Sequence, residues 1–330
     1  MPKVSVVLPV YNGENFIRTT ISSILNQSFK DFELVVVDDG STDSSRNILD
    51  SISCLDSRVK IIYQKNQGIC IARNIGIKES SSDYIMFCDH DDLYQPEYIK
   101  NAFNDISESG ADFVKYGCRE VFVKGNKVIK SNDNCLQDCQ FKRSVDILLL
   151  YRFYNEYLWD GIYKKSILEK VGGFDPFFKS GCEDLDIFFK ILKVSTLCLT
   201  KKELFYVHFI RDYQSTSKKF SINALESLDK VYRQRFLLVD KLNSYNFIKY
   251  KKIKTKQYVL SVLGMLSFKD CNLRLSEVFL HIKEINKEVF VQRNLSVFLN
   301  YDIKNLLIFL FKAKFFKILS FICIIRRKIK

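Results

Sequence analysis

Residues Asp83–Leu93 read DYIMFCDHDDL. A short apolar run, Tyr84 to Cys88, ends on Asp89, His90, Asp91 and Asp92. Such a run, bounded by carboxylates, has the length of a buried strand in a parallel sheet and is too short for a core helix. The carboxylates then emerge at the strand's carboxyl end, the edge at which open α/β sheets bind ligands. Like charges crowded there repel unless a cation or hydrogen-bond donors offset them. Hard oxygen donors of this kind suit Mg²⁺ or Mn²⁺. An isolated D-x-D is common by chance and is more often a solvated acidic turn, so it gains meaning only from its surroundings.

Upstream, the same pattern repeats. Val4 to Leu8 is a β-branched and apolar run that Pro9, Asn12 and Gly13 turn into a helical segment carrying Phe16, Thr20, Ile21 and Ile24. Phe32 to Val37 closes on Asp38, Asp39 and Gly40, and Ser41, Thr42 and Asp43 are good N-cap residues for a helix through about Ile52. Val59 to Tyr63 is a third strand, and Gly68 to Lys78 a helix carrying Arg73 and Asn74. Strands alternating with helices at this spacing predict a parallel, doubly wound α/β sheet. Tyr11 and Asn12, then Asp38 and Asp39, then the Asp89 cluster should share one crevice. No G-x-G-x-x-G follows the first strand and no G-x-x-x-x-G-K-[ST] occurs, so neither a dinucleotide cradle nor a P-loop is supported.

VSVVLPVYNGENFIRTTISSILNQSFKDFELVVVDDGSTDSS, followed by NQGICIARNIGIKESSSDYIMFCDHDD, resembles the opening of family 2 glycosyltransferases with the GT-A fold. The likeness resumes at Trp159, at IYKKSILEKVGGFDPFF and at GCEDLDIFFKIL, and runs to about Thr216. The resemblance implies an inverting enzyme of bacterial polysaccharide biosynthesis, such as capsule or O-antigen. It would move a sugar from a nucleotide sugar, UDP-linked, to a hydroxyl of a lipid-linked or polysaccharide acceptor, with a divalent cation, Mn²⁺ or Mg²⁺. A catalytically silent, nucleotide-sugar-binding scaffold is the alternative, against which the intact Asp89, Asp91 and Asp184 argue.

The resemblance also assigns residues. Pro9, Tyr11 and Asn12 line the donor site, with Tyr11 stacking on the base; Asp39 accepts the base's imide hydrogen; and Arg73 reaches the base or the diphosphate with its guanidinium fork. Locally, Tyr11 reads equally well as a turn aromatic, and Asp39 as a helix N-terminal carboxylate. Asp89 contacts ribose or metal, and Asp91 coordinates the cation. His90 stands where the family commonly has a small residue; it could add a metal ligand, but alternation turns it sideways from its neighbours, toward solvent or the acceptor side. Asp92 caps or hydrogen-bonds the following loop. Asp184 is the general base, and Glu183 positions the acceptor or the base, although carboxylates also gather at helix N-termini for electrostatic reasons alone. Trp159, the one tryptophan, and Asp160 occupy the acceptor-side segment, though a lone tryptophan is as often core. His208 is a candidate third metal ligand.

The chain has 330 residues, 47% of them hydrophobic, enough for a large core. Ten cysteines lie singly without a C-x-x-C pair, which favours a reducing cytoplasm over zinc or a disulfide framework. The start, MPKVSVVLPVYNG, lacks signal-peptide features. Net charge is +13. Ser221–Lys330 holds 22 Lys and Arg against 8 Asp and Glu, whereas the first 220 residues hold 29 against 30. The expected division is therefore a catalytic domain over 1–220 and a basic helical region over 221–330. Leu225, Leu228, Tyr232, Phe236, Val239 and Leu242 follow helical spacing, as do Leu275, Val278, Phe279, Ile282, Ile285 and Val289. The ending LLIFLFKAKFFKILSFICIIRRKIK is apolar, but Lys312, Lys314 and Lys317 leave no run of the ~20 uncharged residues that a spanning helix needs. It suits an interfacial helix on an anionic leaflet, or else a basic hairpin docking on the enzyme. The expectation is a cytoplasmic protein, peripheral on the inner face of the membrane. Nucleic acid is not an expected partner, because no binding motif is present.

Overall fold

The computed structural model describes residues 1–125, 127–150, 156–211, 220–242, 244–268, 271–288, 291, 311 and 316–329. The chain falls into two compact units, one of Met1–Lys179 with Glu183–Gln214, the other of Ser180–Cys182 with Ser215–Lys330.

The first unit is built on one mixed sheet. Strands β1 (Val4–Val10), β2 (Phe32–Asp38), β3 (Val59–Tyr63) and β4 (Tyr84–Phe87) are the four expected from the apolar runs. They lie in the order β3-β2-β1-β4, all parallel, with Val4 opposite Phe32 and Ser5 opposite Ile85. Every residue of β1 is buried, which is why the strand reads as an unbroken apolar run rather than an alternating one. β1 runs on through Pro9 to Val10, past the predicted end. The Val7 carbonyl accepts the Cys88 N–H, so Pro9, two residues on, turns its missing donor the same way, beyond the last paired residue of β4.

Helices α1 (Ile17–Leu25), α2 (Ser45–Ser53) and α3 (Ile69–Glu79) make the crossovers. α2 begins at Ser45 with Ser44 at its N-cap, later than expected, and the polar triplet 41–43 lies in the turn before it, where Asp43 Oδ1 accepts the Ser45 N–H at 2.9 Å. α3 lies very close to β1: a Cβ on Gly76 would fall 2.3 Å from a Val7 methyl.

The sheet continues β4-β9-β6-β10-β5, with β5 (Leu93–Tyr94), β6 (Phe113–Lys124), β9 (Gly161–Lys164) and β10 (Cys198–Arg211). β9 is antiparallel to both neighbours, β6 and β10 are parallel, and β7 (Lys127–Asn134) and β8 (Cys139–Phe141) attach to β6 and β10. The doubly wound sheet is thus parallel in its first half and mixed in its second. Helices α4 (Tyr98–Ser109), α5 (Lys165–Lys170) and α6 (Glu183–Val194) complete the unit, and α6 buries Ile187, Phe188, Phe189, Ile191 and Leu192.

The second unit contains α7 (Ile222–Val239), α8 (Tyr245–Met265), α9 (Leu275–Lys287) and α10 (Phe316–Ile329). α7 buries Leu225, Leu228, Tyr232, Phe236 and Val239, as their spacing predicted. Val289 and most of the segment from Asn305 to Phe315 lie outside the described residues. Among the described residues no helix is long and apolar enough to cross a membrane. On α10, Leu319 and Cys323 are buried, whereas Ile318 and Phe321 are 48% and 57% exposed.

Candidate active site

Four strand ends and one helix start converge at the carboxyl edge of the sheet. After β1, Tyr11 is 46% exposed and Asn12 adopts a left-handed φ of 52°. Asn12 Oδ1 accepts the Thr42 N–H at 2.8 Å, and its own N–H donates to Ser41 Oγ at 3.0 Å, so the turns after β1 and β2 brace each other. Gly13 has no room for a side chain, because a Cβ would lie 2.8 Å from the His90 ring. His90 therefore packs sideways against the first turn, and its carbonyl accepts from Thr20 Oγ1 at 2.9 Å.

Asp39 is buried and accepts from Gln64 Nε2 (2.6 Å), the Gln67 N–H (2.8 Å) and the Gly68 N–H (2.8 Å). Its immediate work is to hold the loop that starts α3. The carboxylate has about four acceptor positions, and these bonds take three of them.

Arg73 departs from expectation. Only 2% exposed, it lies over the Phe174 ring and aims its fork at carboxylates. Nη2 donates to Asp89 Oδ1 at 3.0 Å, and Nη1 to Asp184 Oδ1 at 2.8 Å and Glu183 Oε1 at 3.1 Å. One guanidinium thus joins the end of β4 to the start of α6. Three carboxylates around one cation leave surplus negative charge. Burial raises the Asp184 carboxyl to about 7; Arg73 opposes this, while Glu183 and Asp89 add to it.

On the other side of β4, Asp91 Oδ2 accepts from Arg211 Nη1 at 2.6 Å, and Arg211 Nη2 donates to the Asp91 carbonyl at 3.0 Å. The guanidinium also lies 4.1 Å over the Phe16 ring. Burial and the neighbouring Asp92 raise Asp91 to about 6. Asp92, expected to cap or hydrogen-bond the loop that follows it, is fully buried and takes its partners from β10: it accepts from Tyr206 Oη (2.8 Å) and the Phe209 N–H (2.8 Å), with His208 Nδ1 at 3.0 Å. His208 thus pairs with Asp92 rather than with Asp91. Burial alone would lower its pKa, but the bond and charge of Asp92 outweigh it and raise His208 to about 9.

The acceptor-side pair is also corrected in part. Trp159 is buried in an aromatic stack, 4.1 Å from Tyr206, 4.8 Å from Tyr157 and 5.1 Å from His208. Asp160 is sealed from solvent in an ion pair with Lys115, which also donates to the Tyr157 carbonyl and, at 3.2 Å, to Tyr163 Oη. With no surface at the crevice, Asp160 has no direct route to an acceptor. Tyr157, 40% exposed, caps the stack. Sequence reasoning missed Lys115, although a lysine inside the apolar run FVKYGC was a signal that a buried partner exists.

Among the described residues no three His, Cys, Asp or Glu side chains form a ready metal cage. A cation that takes only one or two carboxylates and completes its shell with water and substrate phosphate needs no such cage. Asp89 and Asp91 flank one turn, and each gives an oxygen to a guanidinium. His208, already turned to Asp92, is the poorer donor.

Residues 5–182 match glycosyl transferase family 2. The chain is 42% identical over 110 residues to glycosyltransferase GlyA of Streptococcus pneumoniae, covering 33% of this chain and 16% of that protein. It is 31% identical over 238 residues to an uncharacterized glycosyltransferase of Rickettsia typhi, covering 70% of each. The chain thus spans only a small part of the first relative. Its fold is similar to that of S. aureus TarS residues 1–349, with a TM-score of 0.68 at 18% identity over 99% of this chain and 92% of that one. A crystal structure of the same TarS fragment in complex with UDP-GlcNAc aligns with a TM-score of 0.66 at 17% identity, over 96% of this chain and 89% of that one. The profile match over more than half the chain and the GT-A-type sheet agree with the motif order Asp39, Asp89-x-Asp91, Glu183-Asp184: the chain belongs to glycosyl transferase family 2.

Proposed function

We propose that the protein is an inverting glycosyltransferase. It moves a sugar from a UDP-linked donor to a hydroxyl of a lipid-linked or polysaccharide acceptor in bacterial cell-surface glycan synthesis. The observation that carries this is the Arg73 bridge, which brings the strand-end Asp89 and the helix-start Asp184 within one guanidinium's span. A donor motif and a base that close together can flank one anomeric carbon.

In this mechanism Asp184 takes the proton of the acceptor hydroxyl as that oxygen bonds to the anomeric carbon from one face. The bond from the anomeric carbon to the diphosphate oxygen breaks on the other face, which inverts the centre. A carboxyl raised to about 7 is a base matched to neutral pH. Arg73 orients Asp184, and Glu183 shares that guanidinium. Tyr11 offers an exposed ring to the base, with Pro9 and Asn12 shaping the turn beneath it. Asp39 holds the 64–68 loop and keeps an acceptor position for the base's imide hydrogen. Asp89 and Asp91 would hold Mg²⁺ or Mn²⁺, which when bound neutralises charge on the departing diphosphate. Trp159 supports the acceptor side through Tyr157. The basic C-terminal unit, with Ile318 and Phe321 outward on α10, is the candidate contact with an anionic inner membrane face.

The test is release of UDP and formation of product with a panel of UDP-sugars and Mn²⁺ or Mg²⁺. Asp91→Ala should abolish release while circular dichroism stays native. Turnover equal to the wild type in that variant, or no turnover of any nucleotide sugar by the intact enzyme, overturns the proposal. Truncation after Asp302 should release the enzyme from anionic vesicles; undiminished sedimentation would remove the tail from the membrane contact.

A further inference from the structure

β6 and β7 form a ribbon. Lys124 pairs with Lys127, Val123 with Val128 and Phe122 with Lys130, and Gly125 adopts a left-handed φ of 57° in the connection. On its other side β6 runs parallel to β10, with Glu120 opposite His208 and Val123 opposite Arg211. His208 and Arg211 hold Asp92 and Asp91. The ribbon therefore ends on the crevice edge of the sheet, its turn about two residues, or roughly 7 Å, past Arg211.

Its composition there is unusual. Val128 and Ile129 are each 64% exposed, and Ile129 is the extra residue of a bulge, unpaired between Val128, opposite Val123, and Lys130, opposite Phe122. Lys124, Lys127 and Lys130 surround them, all exposed, with no acidic residue between Val121 and Lys130. Further back, Arg119 and Asp133 neutralise each other. Among the described residues β7 pairs with β6 alone. Lysines on a free edge also discourage strand-to-strand aggregation. That purpose needs only the charges, and an exposed Val-Ile pair works against it.

We propose that this hairpin is a lipid contact of the catalytic unit: Val128 and Ile129 enter the headgroup boundary of an anionic bilayer while the three lysines bind its phosphates. Apolar residues ringed by cations match an anionic bilayer, apolar just beneath a negative surface, and a soluble polyanion gives Val128 and Ile129 nothing to enter. The contact would hold the crevice mouth against the surface from which a lipid-linked acceptor emerges, and it rests on the membrane reading above while adding a site distinct from the tail.

The experiment uses the full chain carrying I129W. The native tryptophan is buried, so added emission reports on the hairpin, and an unchanged melting temperature confirms the fold. With vesicles of phosphatidylcholine and phosphatidylglycerol, the added emission should shift to the blue and be quenched by brominated lipid; pure phosphatidylcholine should do neither. K124S, K127S and K130S should each weaken vesicle binding about fivefold. If the intact chain sediments with vesicles but the I129W emission is unmoved, the tail binds alone and the hairpin proposal is wrong. Absence of sedimentation by the intact chain overturns both membrane proposals. A shift produced by soluble polyphosphate and not by vesicles also overturns the hairpin proposal and makes a soluble polyanion the ligand.

Discussion

Two ionic clusters lie in the catalytic unit and are built on opposite terms. At the crevice, Arg73 faces Asp89, Glu183 and Asp184, three carboxylates for one cation, with 13–27% of each acidic side chain open to solvent. Inside the sheet, Lys115 faces Asp160 one to one, and both are sealed. The sealed pair is charge-balanced, so breaking it should harm the fold. The open cluster carries surplus negative charge held in place by a buried arginine. Such an arrangement is poor for stability and suited to receiving a proton or a cation.

The sharpest way to break this comparison is Asp184→Asn, isosteric and unable to act as a base. Transfer should fall about 10²–10⁴-fold, with little change in melting temperature because surplus charge has been removed. Near-normal turnover would refute the base assignment. Lys115→Met should do the reverse, leaving a buried carboxylate unpaired at a cost of about 3–5 kcal/mol. Lys115→Met with Asp160→Leu should recover much of that in denaturant titrations. Failure of the double variant to recover would mean that the pair does more than balance charge.

The open cluster should also govern pH dependence. Asp184 must be ionised to accept a proton, so kcat/KM should fall as pH drops through about 7, approaching about tenfold per pH unit on the acid side. Arg73 holds that carboxyl down, so Arg73→Gln should move the acid limb to higher pH; an unmoved limb would assign it to another group. The smallest expected effect is in the sealed cluster. Tyr163→Phe removes one hydroxyl that Lys115 donates to, and should cost about 1 kcal/mol of stability with unchanged kcat.

The parallel half of the sheet was legible because each strand is buried on both faces and declares itself as an unbroken apolar run ended by polar residues. The motif order that carries the family resemblance lies in the same stretches, so Asp39, Asp89, Asp91, Glu183 and Asp184 could be named from sequence and do converge on one edge. The second half was harder to read. β9 and β6 are antiparallel neighbours brought together across the Ser144–Leu150 turn and a long connection, and no local period reports that pairing. The misassignment of Asp160 has the same origin. Its partner lies 45 residues earlier in the chain, and whether a carboxylate meets solvent or a buried lysine depends on which strands lie side by side.

Sequence alone determined the strands and helices from β1 to β4, the acidic strand ends and the concentration of positive charge in the last third, because these follow from local pattern and composition. Tertiary structure decided that Arg73 grips Asp184, that His208 turns to Asp92, that Lys115 neutralises Asp160 and that a lysine-ringed hairpin ends at the crevice. Each depends on distances between residues far apart in the chain, and ion pairing and burial act through those distances rather than through sequence order.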